Sequence, residues 1–287
     1  MRGNGEPPVD WDARWRAQVK ARAAQVERLR VTGGDEYWAS RAGRFQAMAG
    51  VAAPADPILA FLGRWLSPDR TVLDVGAGTG RYALAIAPLV SQVIAVEPSA
   101  AMTQLLRAGV RARGLKNVTV IEAPWETCDA VAADLVFCAH VLYPIEDAAS
   151  FLRRLDASAR IACVVALRTQ PPETVLHNVW LALHGEPPRS DPAFLEAYNL
   201  LWSLGIEANV SLAPATSLRF ADRETVLAWA RDMLWVGDDA ATNARLWPLL
   251  VPLLEARPDG AFTVRAAGRH TAMTWWESRN EPSPSPP

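Results

Sequence analysis

Three glycines at alternate positions, Gly76-Ala77-Gly78-Thr79-Gly80, follow the short apolar run Thr71-Val72-Leu73-Asp74-Val75. A glycine-rich turn between a strand and a helix lets the backbone approach a ligand closely, because no Cβ stands in the way. The helix that follows offers unpaired N–H groups and the positive end of its dipole. Asp74 lies two residues before the loop, and Glu97 ends the next apolar run, Gln92-Val93-Ile94-Ala95-Val96. A carboxylate about twenty residues beyond the loop is placed to accept the ribose hydroxyls of an adenine nucleotide or nucleoside. A third group of reactive side chains, His140 and Tyr143, follows the run Ala133-Asp134-Leu135-Val136-Phe137-Cys138. Histidine titrates near neutrality and can serve as a general base there; a histidine in a loop can equally just bond its own backbone.

These residues need a frame that brings strand ends together. Short apolar runs at 71–75, 92–97, 118–122, 133–138 and 160–167 alternate with helical periodicity. Near-continuous apolar strands separated by helices predict a parallel sheet covered on both faces. Upstream, Trp11 to Leu29, Asp35 to Met48, and a segment from Pro57 ending before Pro68 read as helices. Ser99 is placed to cap one helix and Asp222 another. Downstream, helices are expected at 173–184 and from Pro192 to Gly205, then a strand at 206–212. Helical stretches at 222–235 and 239–256, the latter interrupted by Pro248 and Pro252, precede a last strand within 261–276.

The chain has 287 residues, 50% hydrophobic and 21% charged, with a net charge of -2. That is a globular balance with no overall basic field for nucleic acid. Three cysteines, Cys128, Cys138 and Cys163, give neither a disulfide framework nor zinc-knuckle spacing. No metal site is expected; His177 and His184 share a helix without further ligands. No apolar run approaches the ~18 residues of a membrane span. The polar, proline-containing start does not read as a secretory signal, and a cytoplasmic protein is expected. The expected layout is a disordered 1–9 and a single domain at 10–277, then a disordered tail at 278–287. Within the domain lie N-terminal helices at 10–66, a cofactor core at 67–168, inserted helices at 169–204 and C-terminal elements at 205–277.

The glycine spacing departs from the dinucleotide fingerprint, since the third glycine comes one residue early and Arg81 follows it; no Walker-type lysine is present. The runs Val72–Gly80, Ala95-Val96-Glu97-Pro98-Ser99 and Ala133–His140 resemble, in order and spacing, the motifs of class I S-adenosylmethionine-dependent methyltransferases. The resemblance covers about residues 35–168; beyond that only topology agrees. It implies a Rossmann-like, seven-stranded, mostly parallel α/β sheet with helices on both faces. It further implies an N-terminal helical lid and helical insertions after strand 5 and between strands 6 and 7.

Carried onto this sequence, Gly76, Ala77, Gly78 and Gly80 would pack against the methionine part of S-adenosyl-L-methionine. Asp74 would orient the loop and the amino group, and Glu97 would hold the ribose. Pro98 and Met102 would shape the adenine slot, and Cys138 would end the fourth-strand motif beside the cofactor. Pro124 replaces the family's adenine-reading acid, so Trp125 would offer its backbone N–H, or its ring, to adenine; alternatively it only covers the sheet edge. Tyr37 and Arg41 resemble an aromatic-plus-arginine lid, a pattern that an ordinary packed helix also gives. His140 and Tyr143 are the candidate catalytic residues.

The reading is a methyltransferase acting on a small-molecule acceptor, monomeric or homodimeric, with no nucleic-acid or membrane partner. Two alternatives stay open: a nucleotide-dependent oxidoreductase and a non-catalytic S-adenosylmethionine-binding module. The missing Asn/Asp-Pro-Pro-Tyr/Phe and Pro-Cys motifs speak against methylation of nucleobase amino groups and of pyrimidine C5.

Overall fold

The computed structural model describes residues 9–29, 52–53, 55–214, 218–264 and 270–278. Elements are numbered along those residues. The expected helix at 35–48 and the lid residues Tyr37 and Arg41 lie outside them.

Seven strands form one sheet in the order β3-β2-β1-β4-β5-β10-β6. They are β1 (Thr71–Val75), β2 (Gln92–Glu97), β3 (Val118–Glu122), β4 (Ala133–Ala139), β5 (Ala159–Arg168), β6 (Asn209–Pro214) and β10 (His270–Glu277). The first five run parallel. β10 is antiparallel to both β5 and β6. The glycine loop and the ends of β2 and β4 therefore meet along the C-terminal edge of the parallel strands, where open α/β sheets place their ligands.

Buried residues alternate between two cores, one on each face. Leu73, Val75, Val136, Cys138, Cys163 and Val165 join Trp15 and Leu152 on one side. Val72, Phe137, Ala162, Val164 and Met273 join Leu62 and Ile86 on the other. The strands are apolar on both faces because both faces are covered.

The first face is covered by α1 (Trp11–Leu29), α5 (Ala148–Ser158) and α7 (Phe194–Ser203), which pack on one another. The second carries α2 (Pro57–Leu62), α3 (Ala83–Ile86) and α4 (Ala100–Ala112). Side-chain caps define several of these starts. Ser99 accepts from Met102 N–H and Asp147 from Ser150 N–H; Asp56 accepts from the N–H groups of Ile58 and Leu59.

A third core is assembled from α6 (His177–His184), α8 (Arg223–Leu234) and α9 (Ala240–Leu250). It includes a small antiparallel sheet, order β7-β9-β8, made of β7 (Arg219–Phe220), β8 (Leu254–Ala256) and β9 (Phe262–Val264). Asp222 caps α8 as expected.

Several expectations are corrected. The insertion between β6 and β10 is not only helical, and β8 replaces the end of the helix expected to reach 256. The helix after the glycine loop is one turn followed by a 3-10 turn at Ala87–Leu89, because Pro88 removes a backbone donor. The helix from Pro57 stops at Leu62, before Gly63.

Candidate functional site

The glycine loop is held by hydrogen bonds to its neighbour strand. The N–H groups of Gly76 and Ala77 both donate to Val96 O, at 2.8 and 3.1 Å. Gly76, Gly78 and Gly80 have φ of 76°, 55° and 91°. That left-handed region is open to glycine and costly for other residues. The three differ in what surrounds them. A Cβ on Gly76 would stand 2.3 Å from a Val141 methyl, and one on Gly80 would stand 2.4 Å from Leu106. A Cβ on Gly78 would meet nothing within 4 Å among the described residues. The outer two glycines admit neighbouring elements, while the middle one borders open space.

Glu97 locks the same loop. Its Oε2 accepts the Gly78 N–H at 2.9 Å and its Oε1 the Ser99 N–H at 3.0 Å. One lone pair on each oxygen is thereby engaged, and each carboxylate oxygen keeps another. Burial raises its pKa while the Ser99 and Gly78 bonds pull it down.

Asp74 is buried on β1, with 2% of its surface exposed. It accepts a backbone hydrogen bond from Ala83, but its Oδ2 has no partner among the described residues. Burial first, and the Glu97 carboxylate second, push its pKa up to about 8. A buried carboxylate oxygen without a partner is costly, and a ligand ammonium would satisfy it. This orphaned oxygen and the vacant space over Gly78 both fit S-adenosylmethionine, whose amino group and methionine chain need such a donor set and cradle. Asp74, Gly76, Ala77, Gly78 and Glu97 would hold it.

The remaining candidates fall into three groups. Met102 is buried in the first turn of α4, Pro98 is exposed beside Glu97, and Cys138 is buried at the end of β4. Burial and the Asp74 charge hold the Cys138 thiol above its ordinary range. Trp125 is buried, but its ring packs against Phe151, lies under the Arg154 guanidinium and donates to Phe151 O. The ring is thus part of the core on the α5 side, as the sheet-covering alternative expects, and is turned to Phe151 and Arg154.

His140 and Tyr143 come together. His140 Nδ1 is 3.0 Å from the Tyr143 hydroxyl, and the rings are near-parallel. The hydroxyl accepts the Arg168 N–H at 2.9 Å. His140 has φ 62°, a strained value for a non-glycine residue, and its N–H donates to Ala166 O at 2.9 Å. Burial, then the charges of Arg168 and Arg81, lower its pKa to about 3, against a smaller opposing effect of Asp56. At neutral pH the ring is a weak base. It is engaged in a hydrogen bond with the Tyr143 hydroxyl.

Three contributors escaped the sequence reading: Asp56, Arg81 and Arg168. Arg81, directly after the loop, pairs with Asp56 at 2.6 Å. Arg168 ends β5, level with the other site residues, and that position was the available signal. The aromatic residues of the helices after β5 are dispersed. Trp180 is fully buried in the third core, Trp202 is 66% exposed, and Phe194 packs on Tyr198. His184 bonds Leu234 O. Among the described residues no cluster of three or more His, Cys, Asp or Glu is placed to hold a metal ion. None of their helices is long and apolar enough to cross a membrane. A cavity of 460 Å³ lined by Asp156, Ile206 and Trp276 lies against the N-terminal half of β5, away from these residues.

The comparisons with known proteins agree with this geometry. Residues 72–160 match a family described as a methyltransferase domain. A 61-residue stretch is 41% identical to a 23S rRNA (uracil-C(5))-methyltransferase of Marinomonas posidonica. It covers 21% of this chain and only 14% of that protein's length. The fold is similar to that of the YcgJ protein of Bacillus subtilis, with TM-score 0.53 and 16% identity, over 78% of this chain and 98% of that one. A putative methyltransferase of Bacillus halodurans gives TM-score 0.53 and 16% identity over 76% and 97%. The motif match and the loop held between Val96 and Glu97 coincide on one segment, and residues 72–160 carry a methyltransferase domain within a Rossmann-like, seven-stranded sheet.

Proposed function

We propose that the protein transfers a methyl group from S-adenosylmethionine to a small-molecule acceptor. The observation that carries this reading is the unpartnered Oδ2 of buried Asp74, beside the open space over Gly78 and the Glu97 carboxylate. When bound, S-adenosylmethionine supplies a methyl on a sulfonium: the acceptor's lone pair forms the new bond to carbon, and the broken C–S pair returns to a neutral thioether. The chain's own task is then to bind, orient and exclude water. Asp74 receives the amino group, Glu97 the ribose hydroxyls, and the Trp125 backbone the adenine. His140 and Tyr143 border the acceptor side at the end of β4.

In this reading His140, bonded to Tyr143, orients rather than deprotonates the acceptor, since burial lowers its pKa to about 3. An RNA acceptor of the kind named for the Marinomonas relative is disfavoured, because C5 attack needs a nucleophile such as a thiolate. All three cysteines are buried, and burial raises the thiols of Cys138 and Cys163.

Calorimetric titration with S-adenosylmethionine, S-adenosylhomocysteine and NADH tests the reading. Micromolar binding of the two sulfur compounds alone supports it, and at least a tenfold loss in Glu97→Ala assigns the site. NADH binding alone would restore the oxidoreductase. Tight sulfonium binding without turnover across an acceptor panel would leave a non-catalytic module.

A further inference from the structure

Helix α1 is fastened to the rest of the chain at two places that serve different segments. Trp15 is fully buried, and its indole N–H donates to Ile145 O at 2.7 Å. Ile145 belongs to the connection between β4 and α5, which also carries His140 and Tyr143; Ile145 and Tyr143 pack against the same core as Trp15. Further along α1, buried Gln25 commits both ends of its amide to the connection between α6 and α7. Its Nε2 donates to Pro187 O at 2.9 Å, and its Oε1 accepts the Arg189 N–H at 2.6 Å.

Ion pairs flank each fastening: Arg16 with Asp147 and Lys20 with Glu146 at the first, Arg28 with Glu186 at the second. Exposed pairs of this kind contribute little. The buried bonds matter more, because breaking one leaves a desolvated polar group unpaired. Between the two, Val19 is buried and the Arg22 guanidinium lies 4.7 Å over the Trp180 ring of α6. Trp15 and Gln25 stand on one continuous helix, Trp11–Leu29, roughly 15 Å apart along its axis. A displacement at one end is therefore carried to the other. α7 also packs on α5, which gives a second route between the same segments, but that route leaves residue 25 out.

We infer that α1 is a strut coupling the α6–α7 connection to the His140–Tyr143 pair, with Trp15 and Gln25 as its positioning residues. A ligand that orders the α6–α7 connection thereby sets the His140–Tyr143 pair without touching it. The coupling is reciprocal, since linkage requires each end to feel the other by the same free energy. It goes beyond the methyl-transfer reading and does not depend on it, because it concerns how two segments of this chain hold one another.

The test is amide hydrogen exchange on the ligand-free full chain. Gln25→Ala removes both bonds to 187–189 and leaves Trp15 in place. Exchange is expected to rise at least threefold at 140–147 as well as at 186–191, with β2 and β3 unchanged, and the ring-nitrogen NMR signals of His140 are expected to shift. Gln25→Met, close in length and without the polar ends, takes its place if Gln25→Ala does not fold. Trp15→Phe keeps a ring, removes the indole donor and should raise exchange at 186–191 in turn. A rise confined to 186–191 with the His140 signals unmoved would overturn the inference. So would an unchanged 186–191 in a folded Trp15→Phe protein, or a uniform rise across the sheet, which marks a merely stabilising role. None of these outcomes bears on methyl transfer, which stands or falls on S-adenosylhomocysteine binding.

Discussion

Asp56 and Arg81 join two segments on opposite sides of β1: the Asp56 carboxylate caps α2 and pairs with Arg81 Nη2 at 2.6 Å. The same carboxylate thus serves a helix start and the residue directly after the glycine loop. The Ala52 N–H bonds Arg81 O at 2.9 Å, which adds a second tie. Asp56→Ala removes the cap and leaves a half-buried guanidinium short of its counter-charge. The expected loss is about 2–4 kcal/mol, read as a fall in the denaturant midpoint. Asp56→Asn keeps an acceptor for the cap and should lose less. Equal stability of Asp56→Ala and the wild type would refute the tie.

Gly76 and Gly78 should respond differently to the same substitution. Gly76→Ala meets Val141 at 2.3 Å and a left-handed φ, so it should fail to fold or lose several degrees in Tm. Gly78→Ala bears only the backbone strain, roughly 1–2 kcal/mol. Its methyl would occupy the ligand's space, however, and S-adenosylhomocysteine should bind at least tenfold more weakly. Comparable ligand affinity in a folded Gly78→Ala protein would show that the open space is not the cradle.

Asp74 couples stability to pH with an unusual sign for a carboxylate. Its pKa is raised to about 8, so between the unfolded value near 4 and pH 8 the folded chain holds a proton that the unfolded chain has released. Stability from this group is present below pH 4 and is lost as pH rises towards 8. Asp74→Asn removes that penalty and should stabilise the ligand-free protein at pH 8.5, by on the order of 1–3 kcal/mol, while weakening S-adenosylmethionine. Thermal melts across pH 6–9 check it; a variant less stable than wild type at pH 8.5 would contradict the assignment.

His140 carries the opposite dependence. With a folded pKa of about 3, the unfolded chain takes up a proton below pH 6.5 that the folded chain refuses, so stability falls as pH drops from 6.5 towards 3. His140→Gln should flatten part of that slope. The Tyr143 hydroxyl accepts from Arg168 N–H and is set to donate to Nδ1, which places the ring proton on Nε2. Nitrogen NMR should show that tautomer, with no titration between pH 5 and 9. A mid-range inflection, or an Nδ1–H tautomer, would restore a base.

The sheet was legible because β1, β2, β4 and β5 are buried on both faces and read as unbroken apolar runs between helices. Asp74, the glycines and Glu97 were legible because each sits at a fixed offset from a strand end. β7, β8 and β9 were not, since two or three residues are too few to set a period. Trp125 could be placed but not oriented from the sequence. Sequence places it beside the adenine edge, but the direction of its ring is decided by Phe151 and Arg154, which come from α5. Arg168 and Asp56 were overlooked because a lone arginine or aspartate carries no pattern until the fold supplies its neighbours.

The position of β10 fixes an order of assembly. β6 precedes it in the chain by more than fifty residues, yet pairs with no other strand among the described residues, because β10 lies between β6 and β5. Five strands can close as soon as Arg168 has been synthesised, whereas β6 must wait, its backbone edge unpaired, until the intervening segment has been made and folded back. Non-local pairing of this kind is slow and leaves unpaired backbone N–H and C=O groups on that strand meanwhile. Chaperone dependence and aggregation during synthesis should therefore originate at β6 rather than at the cofactor half of the sheet.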